Sequence, residues 1–114
     1  MVNKKQWIPD RGDIVWLNFD PHASSEQAGH RPAIVISPKM YNSKVGLALF
    51  CPITTQVKNY PMEVQLPPHL KTSGAILSDH IKNLDWRFRK ASFIEKAPDY
   101  IIKDVLAKVF TLLT

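Results

Sequence analysis

The stretch Ser25-Glu26-Gln27-Ala28-Gly29-His30-Arg31-Pro32 separates two apolar segments of this 114-residue chain. The run Ile14-Val15-Trp16-Leu17-Asn18-Phe19 precedes it, and Ala33-Ile34-Val35-Ile36 follows it directly. Alternation in the first run predicts a strand, and the continuously apolar second run is typical of a strand buried on both faces. Polar and charged side chains strung between two strands are a frequent place for chemistry. We therefore predict a strand–loop–strand unit with Arg31 at the mouth of the second strand.

The remaining patterns predict a small, mainly β domain. Strands are expected over about residues 13–19, 32–37, 47–53, 62–66 and 74–78, with 81–84 continuing the last one and 86–89 able to extend it. Residues 39–44 are expected to form a short turn or loop. Proline and aspartate at 98–99 announce a C-terminal helix, whose apolar positions 102, 105, 106, 109 and 113 pack on the sheet. The prediction is one domain over residues 1–114, a small SH3-like barrel or half-open sheet with a C-terminal α-helix.

Composition excludes several classes of protein. The 45% hydrophobic content is typical of a folded chain, and no apolar run approaches the roughly 20 residues of a membrane span. The N-terminus has no apolar segment, so no secretion signal is expected. A lone Cys51 excludes an internal disulfide and favours a reducing cytoplasm, while the four histidines lack zinc-ligand spacing. The net charge of +5 is compatible with a polyanionic partner but does not establish one.

Arg31 and Thr54 are candidates for contact with a phosphate. A guanidinium is permanently charged and presents a planar fork of donors. Thr54 ends a predicted strand, where its hydroxyl can donate to a phosphate oxygen, and Thr55 and Gln56 follow it. The alternatives are strand propensity alone for Thr54 and an ordinary ion pair for Arg31. Its partner in such a pair would be Glu26 or Glu63, and the residues themselves leave these alternatives open.

Glu26 and His30 are candidate proton carriers. Histidine titrates nearest to neutral pH, and a glutamate can act as a base when burial raises its pKa. A single loop histidine is nevertheless more often simply solvated, and the sequence does not choose between the two residues. Cys51 lies within an apolar run, where cysteine behaves as a small hydrophobic residue rather than as a nucleophile.

Aromatic and basic side chains alternate in Trp86-Arg87-Phe88-Arg89-Lys90. Such a pattern can hold single-stranded nucleic acid by stacking and by phosphate contact. A rim of solvated arginines over buried rings explains the pattern equally well.

Taken together, these motifs resemble the MazF/PemK family of toxin–antitoxin endoribonucleases over nearly the whole chain. The core of the resemblance is Glu26-Gln27 with Gly29 and Arg31-Pro32, combined with Thr54 downstream. Further matching segments lie at residues 12–16, 19–21, 36–38, 40–42, 52–56, 60–61 and 85–87.

The match favours the MazF branch of the family. His30 beside Arg31 fits that branch, whereas Ser25 and Leu77 replace a histidine and an arginine of some PemK-like members. Asp79 matches the aspartate of those members, but His80 stands where many relatives have glutamine. The acid–base assignment of the PemK branch is therefore not transferred to this chain.

The resemblance implies a homodimeric toxin that cleaves single-stranded RNA at short sequences without a metal or other cofactor. The substrate's 2′-hydroxyl attacks the adjacent phosphate, leaving a 2′,3′-cyclic phosphate and a 5′-hydroxyl. Arg31, Thr54 and Glu26 are implied to be catalytic, and His30 stays a candidate acid or base. The expected RNA-binding residues are Gln27, Thr55, Gln56, Lys58, Asp79, Arg87 and Arg89. A cognate antitoxin is expected to block the groove with an extended acidic segment, in the cytoplasm and away from membranes.

Two other functions are compatible with such a barrel. One is a non-enzymatic gyrase poison of the CcdB kind, but those toxins end in Trp-Gly-Ile, whereas this chain ends in Leu112-Leu113-Thr114. The other is an RNA-binding barrel without catalysis. That function needs no cooperation between Arg31 and Thr54.

Overall fold

The computed structural model describes residues 6–20 and 29–114 of the chain. The elements in these residues are β1 (Asp13–Asn18), β2 (His30–Val35), α1 (Lys39–Val45), β3 (Leu47–Thr54), β4 (Glu63–Gln65), β5 (Ala75–Leu77), β6 (Lys82–Asp85), β7 (Ser92–Lys96) and α2 (Asp99–Thr111). The strand order is β4-β5-β3-β2-β1-β7, and β6 also pairs with β3. All the strand pairs are antiparallel. The expected mainly β fold, with a half-open, barrel-like sheet and a C-terminal helix, is confirmed.

The prediction of a turn or loop over residues 39–44 is wrong, because these residues belong to helix α1. Pro38 precedes the helix in an extended conformation, and Gly46 ends it with φ 80° and its N–H bonded to the carbonyl of Asn42. Glycine adopts this left-handed conformation without steric cost, so it is a frequent helix terminator.

The expected strand extension over residues 86–89 is also wrong. The Asp85 carboxylate accepts hydrogen bonds from the backbone N–H groups of Arg87 and Phe88, both at 3.0 Å, and bends the chain into a turn. After this turn the chain enters β7, a strand that periodicity did not reveal because its buried and exposed positions do not alternate cleanly. Leu113, expected on the packed face of the helix, lies beyond the end of α2 and is 72% exposed.

Strand β2 divides the apolar interior into two cores. All residues of the run 33–36 are buried, which confirms the expected strand covered on both faces. Ile34 faces the helix-side core, which includes Ile14, Cys51, Ile53, Ile101, Val105 and Val109. Ala33 and Val35 face the Trp86 core, which also includes Val15, Leu17, Ala48 and Phe50. Opposite faces of one strand therefore hold the two cores together.

Asn42 connects α1 to the Trp86 core. Its side chain is fully buried and donates to the carbonyl oxygens of Pro9, at 2.8 Å, and Ser37, at 3.0 Å. Its own backbone carbonyl accepts the indole N–H of Trp86 at 3.0 Å. These buried polar groups thus have partners, as a stable interior requires.

Gly74 allows the chain that precedes β5 to pack against the end of β3. Its φ is +116°, and a Cβ at this position would lie 2.1 Å from the carbonyl oxygen of Thr54. No side chain fits so close to a backbone atom, and L-residues rarely adopt this φ. In the described ranges, no helix is long and apolar enough to cross a membrane.

We expect Gly74→Ala to destabilise the protein by more than about 1 kcal/mol, because the new Cβ must displace the backbone of Thr54. Gly46→Ala is the matched control, since Gly46 also has a positive φ of +80° but a Cβ added there would meet no neighbouring atom within 4 Å. The measurement is the urea midpoint of each variant. Equal midpoints for the two variants would contradict the steric role of Gly74.

Candidate active site

A cavity of about 430 Å³ opens where β2 begins and β3 ends. We call it the Arg31 cavity. It combines basic, acidic, hydroxyl and aromatic side chains. Its lining residues are Phe19, Asp20, Gly29, Arg31, Pro52, Ile53, Thr54, Leu77, His80 and Lys82.

The structure brings Arg31 and Thr54 into this one cavity, and strand register explains how. Ala33 pairs with Pro52, and Ile34 pairs with Cys51, in the antiparallel ladder of β2 and β3. Continuing the same register by two residues sets Arg31 across from Thr54. Because alternate residues share a face, both side chains continue the face that holds the Trp86 core. An apolar row therefore ends in a cation and a hydroxyl at the edge of the sheet.

The guanidinium of Arg31 is available to a ligand. Arg31 is exposed, and within residues 6–20 and 29–114 its side chain makes no hydrogen bond or ion pair. Glu63, one of its two possible ion-pair partners, instead accepts hydrogen bonds from the backbone N–H groups of Lys58 and Asn59. The alternative of an ion pair with Glu63 is therefore wrong, and the other partner, Glu26, lies outside the described residues.

The hydroxyl of Thr54 is oriented by its own turn. Its Oγ1 accepts a hydrogen bond from the backbone N–H of Gln56 at 3.1 Å. A hydroxyl that accepts in this way keeps its proton for donation to another group. Thr54 can therefore donate to an anionic oxygen held by Arg31, which is a typical arrangement for stabilising charge on a phosphate.

The neck of the loop after β1 is held rigidly beside Arg31. The N–H of Phe19 donates to the carbonyl of Gly29 at 2.8 Å, and a Cβ on Gly29 would lie 2.7 Å from Oδ1 of Asn18. Arg89 donates from Nη1 to the carbonyl of Phe19 at 2.6 Å. Glu26 and Gln27, which are not among the described residues, fall between the two sides of this neck in the sequence.

A second cavity, of about 330 Å³, adjoins the first. We call it the Tyr60 cavity. The two cavities share Thr54, Leu77 and His80, so they form one continuous cleft. The remaining lining residues of the Tyr60 cavity are Gln56, Lys58, Tyr60, Glu63 and Asp79.

Tyr60 and Asp79 are paired in this second cavity. The phenol donates to Oδ1 of Asp79 at 2.6 Å. This hydrogen bond, followed by desolvation and by the charges of Asp79 and Glu63, raises the pKa of Tyr60 to about 12. The phenol is therefore protonated at neutral pH, and one oxygen of Asp79 is occupied by it.

The other predicted site residues lie outside the cleft or at its margin. His30 projects on the opposite face of β2 from Arg31, with its ring centroid 5.2 Å from that of Trp16. Arg87 lies over the Trp86 ring at 4.8 Å, and Arg89 serves the loop neck. Thr55 is exposed next to Thr54 but lines neither cavity.

Sequence reasoning missed three residues of the cleft, Phe19, Lys82 and Tyr60, and did not assign His80 a role. Lys82 lies with its Nζ 5.9 Å from the centre of the Phe19 ring, on the first residue of β6. The polar, alternating segment 79–82 was the available signal. That segment fits the continuation of a strand equally well, so it did not single out these side chains.

Cys51 is not a nucleophile in this structure. Burial, reinforced by the charge of Asp79, raises the pKa of its thiol to about 12, so the thiol is protonated at neutral pH. In the described part of the chain, no group of three or more His, Cys, Asp or Glu side chains is arranged to hold a metal ion.

Comparison with known proteins places this cleft in a family. Residues 10–113 match the family described as PemK-like, MazF-like toxin of type II toxin–antitoxin system. The endoribonuclease toxin MazF of Escherichia coli K12 is 51% identical over 87 residues, which are 76% of this chain and 78% of that protein.

Solved structures agree with the sequence match. A crystal structure of MazF from Deinococcus radiodurans has a TM-score of 0.86 and 48% identity, covering 95% of this chain and 98% of that one. A crystal structure of MazE–MazF from the same organism has a TM-score of 0.84 and 44% identity, covering 95% and 97%. The resemblance found in the sequence is confirmed, and the chain belongs to the PemK-like, MazF-like toxin family of type II toxin–antitoxin systems.

Proposed function

We propose that this protein is an endoribonuclease toxin that cleaves single-stranded RNA at short sequences and thereby inhibits translation and growth. The observation that supports this most directly is the meeting of Arg31 and Thr54 in one cavity. The names of its relatives, which are endoribonuclease toxins, point to the same reaction.

The proposed chemistry is attack of the substrate's own 2′-hydroxyl on the adjacent phosphate. The bond from the 2′-oxygen to phosphorus forms, and the bond from phosphorus to the 5′-oxygen breaks. Arg31 neutralises the charge that develops on the phosphorane oxygens, and Thr54 donates a hydrogen bond to one of them. The products are a 2′,3′-cyclic phosphate and a 5′-hydroxyl.

Glu26 is the proposed base for the 2′-hydroxyl proton. Arg31 is a poor base because the pKa of an arginine exceeds about 12. Glu26 is only a few residues from Gly29, which lines the Arg31 cavity and forms one side of the loop neck. The positive charge is supplied by Arg31 and Lys82, so we propose that cleavage needs no metal or other cofactor.

The cleft is proposed to bind RNA along both of its cavities. Gln56, Lys58 and Asp79 line the Tyr60 cavity, where they can contact nucleotides next to the cleaved phosphate. Gln27, Thr55, Arg87 and Arg89 stay proposed contacts farther from the centre. Recognition of unstacked bases by such groups is typical of proteins that bind single-stranded RNA.

Two protein partners are proposed. A second copy of the chain is supported by exposed apolar side chains at the end of α2, where Phe110 and Leu112 are 58% and 51% exposed. A cognate antitoxin is supported by the MazE–MazF complexes among similar structures. Its acidic, extended C-terminal segment would occupy the cleft in place of RNA and complement the net charge of +5, in the cytoplasm where RNA is present.

We expect Arg31→Ala to lower the rate of RNA cleavage in EDTA by at least about 100-fold, because nothing else at its position neutralises the phosphorane. Arg31→Lys should retain part of the activity. Lys44→Ala, which removes one positive charge from the exposed end of α1, is the control and should cleave like the wild type. The measurement is single-turnover cleavage of a long single-stranded RNA, with the 5′ ends of the products mapped.

If wild-type protein leaves the RNA intact both in EDTA and with added magnesium, the proposed nuclease activity is wrong. If Arg31→Ala weakens RNA binding but preserves the rate at saturation, the non-catalytic RNA-binding function is favoured.

Thr54→Val should lower the cleavage rate about 10- to 100-fold, because it removes a donor to the phosphorane while keeping the shape of the side chain. Thr54→Ser keeps the hydroxyl and should retain most of the activity. The rate at saturating RNA is the measurement. Equal rates for the valine and serine variants would remove the hydroxyl from the mechanism.

A further inference from the structure

We propose that His80 is the general acid that protonates the leaving 5′-oxygen, an inference that rests on the proposed RNA cleavage. His30, the histidine that the sequence suggested for acid–base chemistry, faces the other side of β2. His80 instead lines the same cavity as Arg31 and Thr54.

The fold places His80 at the junction of the two cavities. It follows β5 in a tight turn, in which its backbone N–H donates to the carbonyl of Leu77 at 3.1 Å. Together with Thr54 and Leu77, it belongs to the wall that both cavities share. Its imidazole is therefore beside the position where Thr54 would hold a phosphate, with a path along the cleft to either neighbouring nucleotide.

The surroundings of His80 favour donation of a proton rather than its removal. Nε2 of His80 lies 3.8 Å from Oδ1 of Asp79, close enough for an ion pair when the imidazole is protonated. The side chain is 52% exposed, so protons exchange readily with solvent between turnovers. A histidine beside a carboxylate is a frequent general acid in catalysis.

The other charged groups of the cleft are poor substitutes. Arg31 and Lys82 hold their protons too tightly to protonate an alkoxide efficiently at neutral pH. The phenol of Tyr60 donates to Asp79, and its raised pKa makes it a still weaker acid.

The acidic groups of the cleft point to the same assignment. Asp20, Asp79 and Glu63 are carboxylates, which are normally ionised at neutral pH and accept protons. Lys58, in the Tyr60 cavity, is a further cation of the same kind as Lys82. Among the described residues of the cleft, His80 is the side chain whose type changes its charge near neutral pH.

Protons and bonds balance over the proposed step. The 2′-hydroxyl gives its proton to the base as the 2′-oxygen bonds to phosphorus. The bond from phosphorus to the 5′-oxygen breaks, and the imidazolium of His80 gives its N–H proton to that oxygen. The 5′-hydroxyl leaves, and the neutral imidazole takes a proton from water before the next turnover.

The test is His80→Gln, which keeps a polar side chain of similar length but cannot carry the proton. We expect the single-turnover rate at saturating RNA to fall about 100-fold. We also expect the loss of one limb of the pH–rate profile. A general acid must be protonated, so the wild-type rate should fall as pH rises through the range of about 5 to 8 where histidines titrate, and the variant should lack that fall.

A modified substrate separates an acid from a merely structural residue. In an oligonucleotide with sulfur in place of the bridging 5′-oxygen at the cleaved bond, the leaving thiolate needs no proton. His80→Gln and wild type should therefore cleave this substrate at similar rates. His69→Gln, a change in an exposed turn outside both cavities, should match the wild type on both substrates.

Several outcomes would overturn the assignment. These are a wild-type rate and pH profile for His80→Gln, an effect confined to KM, or an equal loss on the oxygen and sulfur substrates. An unchanged urea midpoint for the variant shows that it folds. Absence of any cleavage by wild-type protein would instead refute the proposed function, so the two failures are distinguishable.

Discussion

The candidate active site depends on the register of β2 against β3. The pairing of Ala33 with Pro52 and of Ile34 with Cys51 decides which residues share a face at the end of the ladder. A shift of one residue would turn Arg31 to the face of the helix-side core, because side chains alternate across a strand. Burial of the run 33–36 on both faces makes such a shift costly. The same apolar packing that stabilises the sheet therefore positions the guanidinium.

Backbone contacts then complete the site at positions where a side chain would not fit. Gly74 brings the segment before β5 against the carbonyl of Thr54, and Gly29 closes the loop neck against Asn18 and Phe19. Arg89 contributes from a distant turn by donating to the carbonyl of Phe19. Thr54 and Arg31 are thus held by elements from several parts of the chain, which is the rigidity that preorganised charge stabilisation requires.

The charges of the cleft are arranged so that the cations face the ligand while acids are engaged by the protein itself. Glu63 accepts from the backbone of Lys58 and Asn59, and Asp79 accepts from Tyr60. Arg31 makes no such bond within the described residues, and Lys82 lies over the Phe19 ring. This arrangement favours a polyanion, and it suits RNA and an acidic antitoxin segment for the same electrostatic reason.

The sequence by itself determined the strand–loop–strand unit around Arg31, the C-terminal helix after Pro98, and the family, because these depend on local patterns and contiguous motifs. It also identified Arg31 and Thr54 by their chemical types. Only the tertiary structure decided that these two side chains meet, that His30 faces away, and that His80 and Lys82 enter the cleft. Those outcomes depend on strand pairing and on turns such as Leu77–His80, whose geometry is set by contacts between distant residues. Helix α1 and the turn at 86–90 were missed for the same reason, since a buried Asn42 and the capping carboxylate of Asp85 override the local pattern.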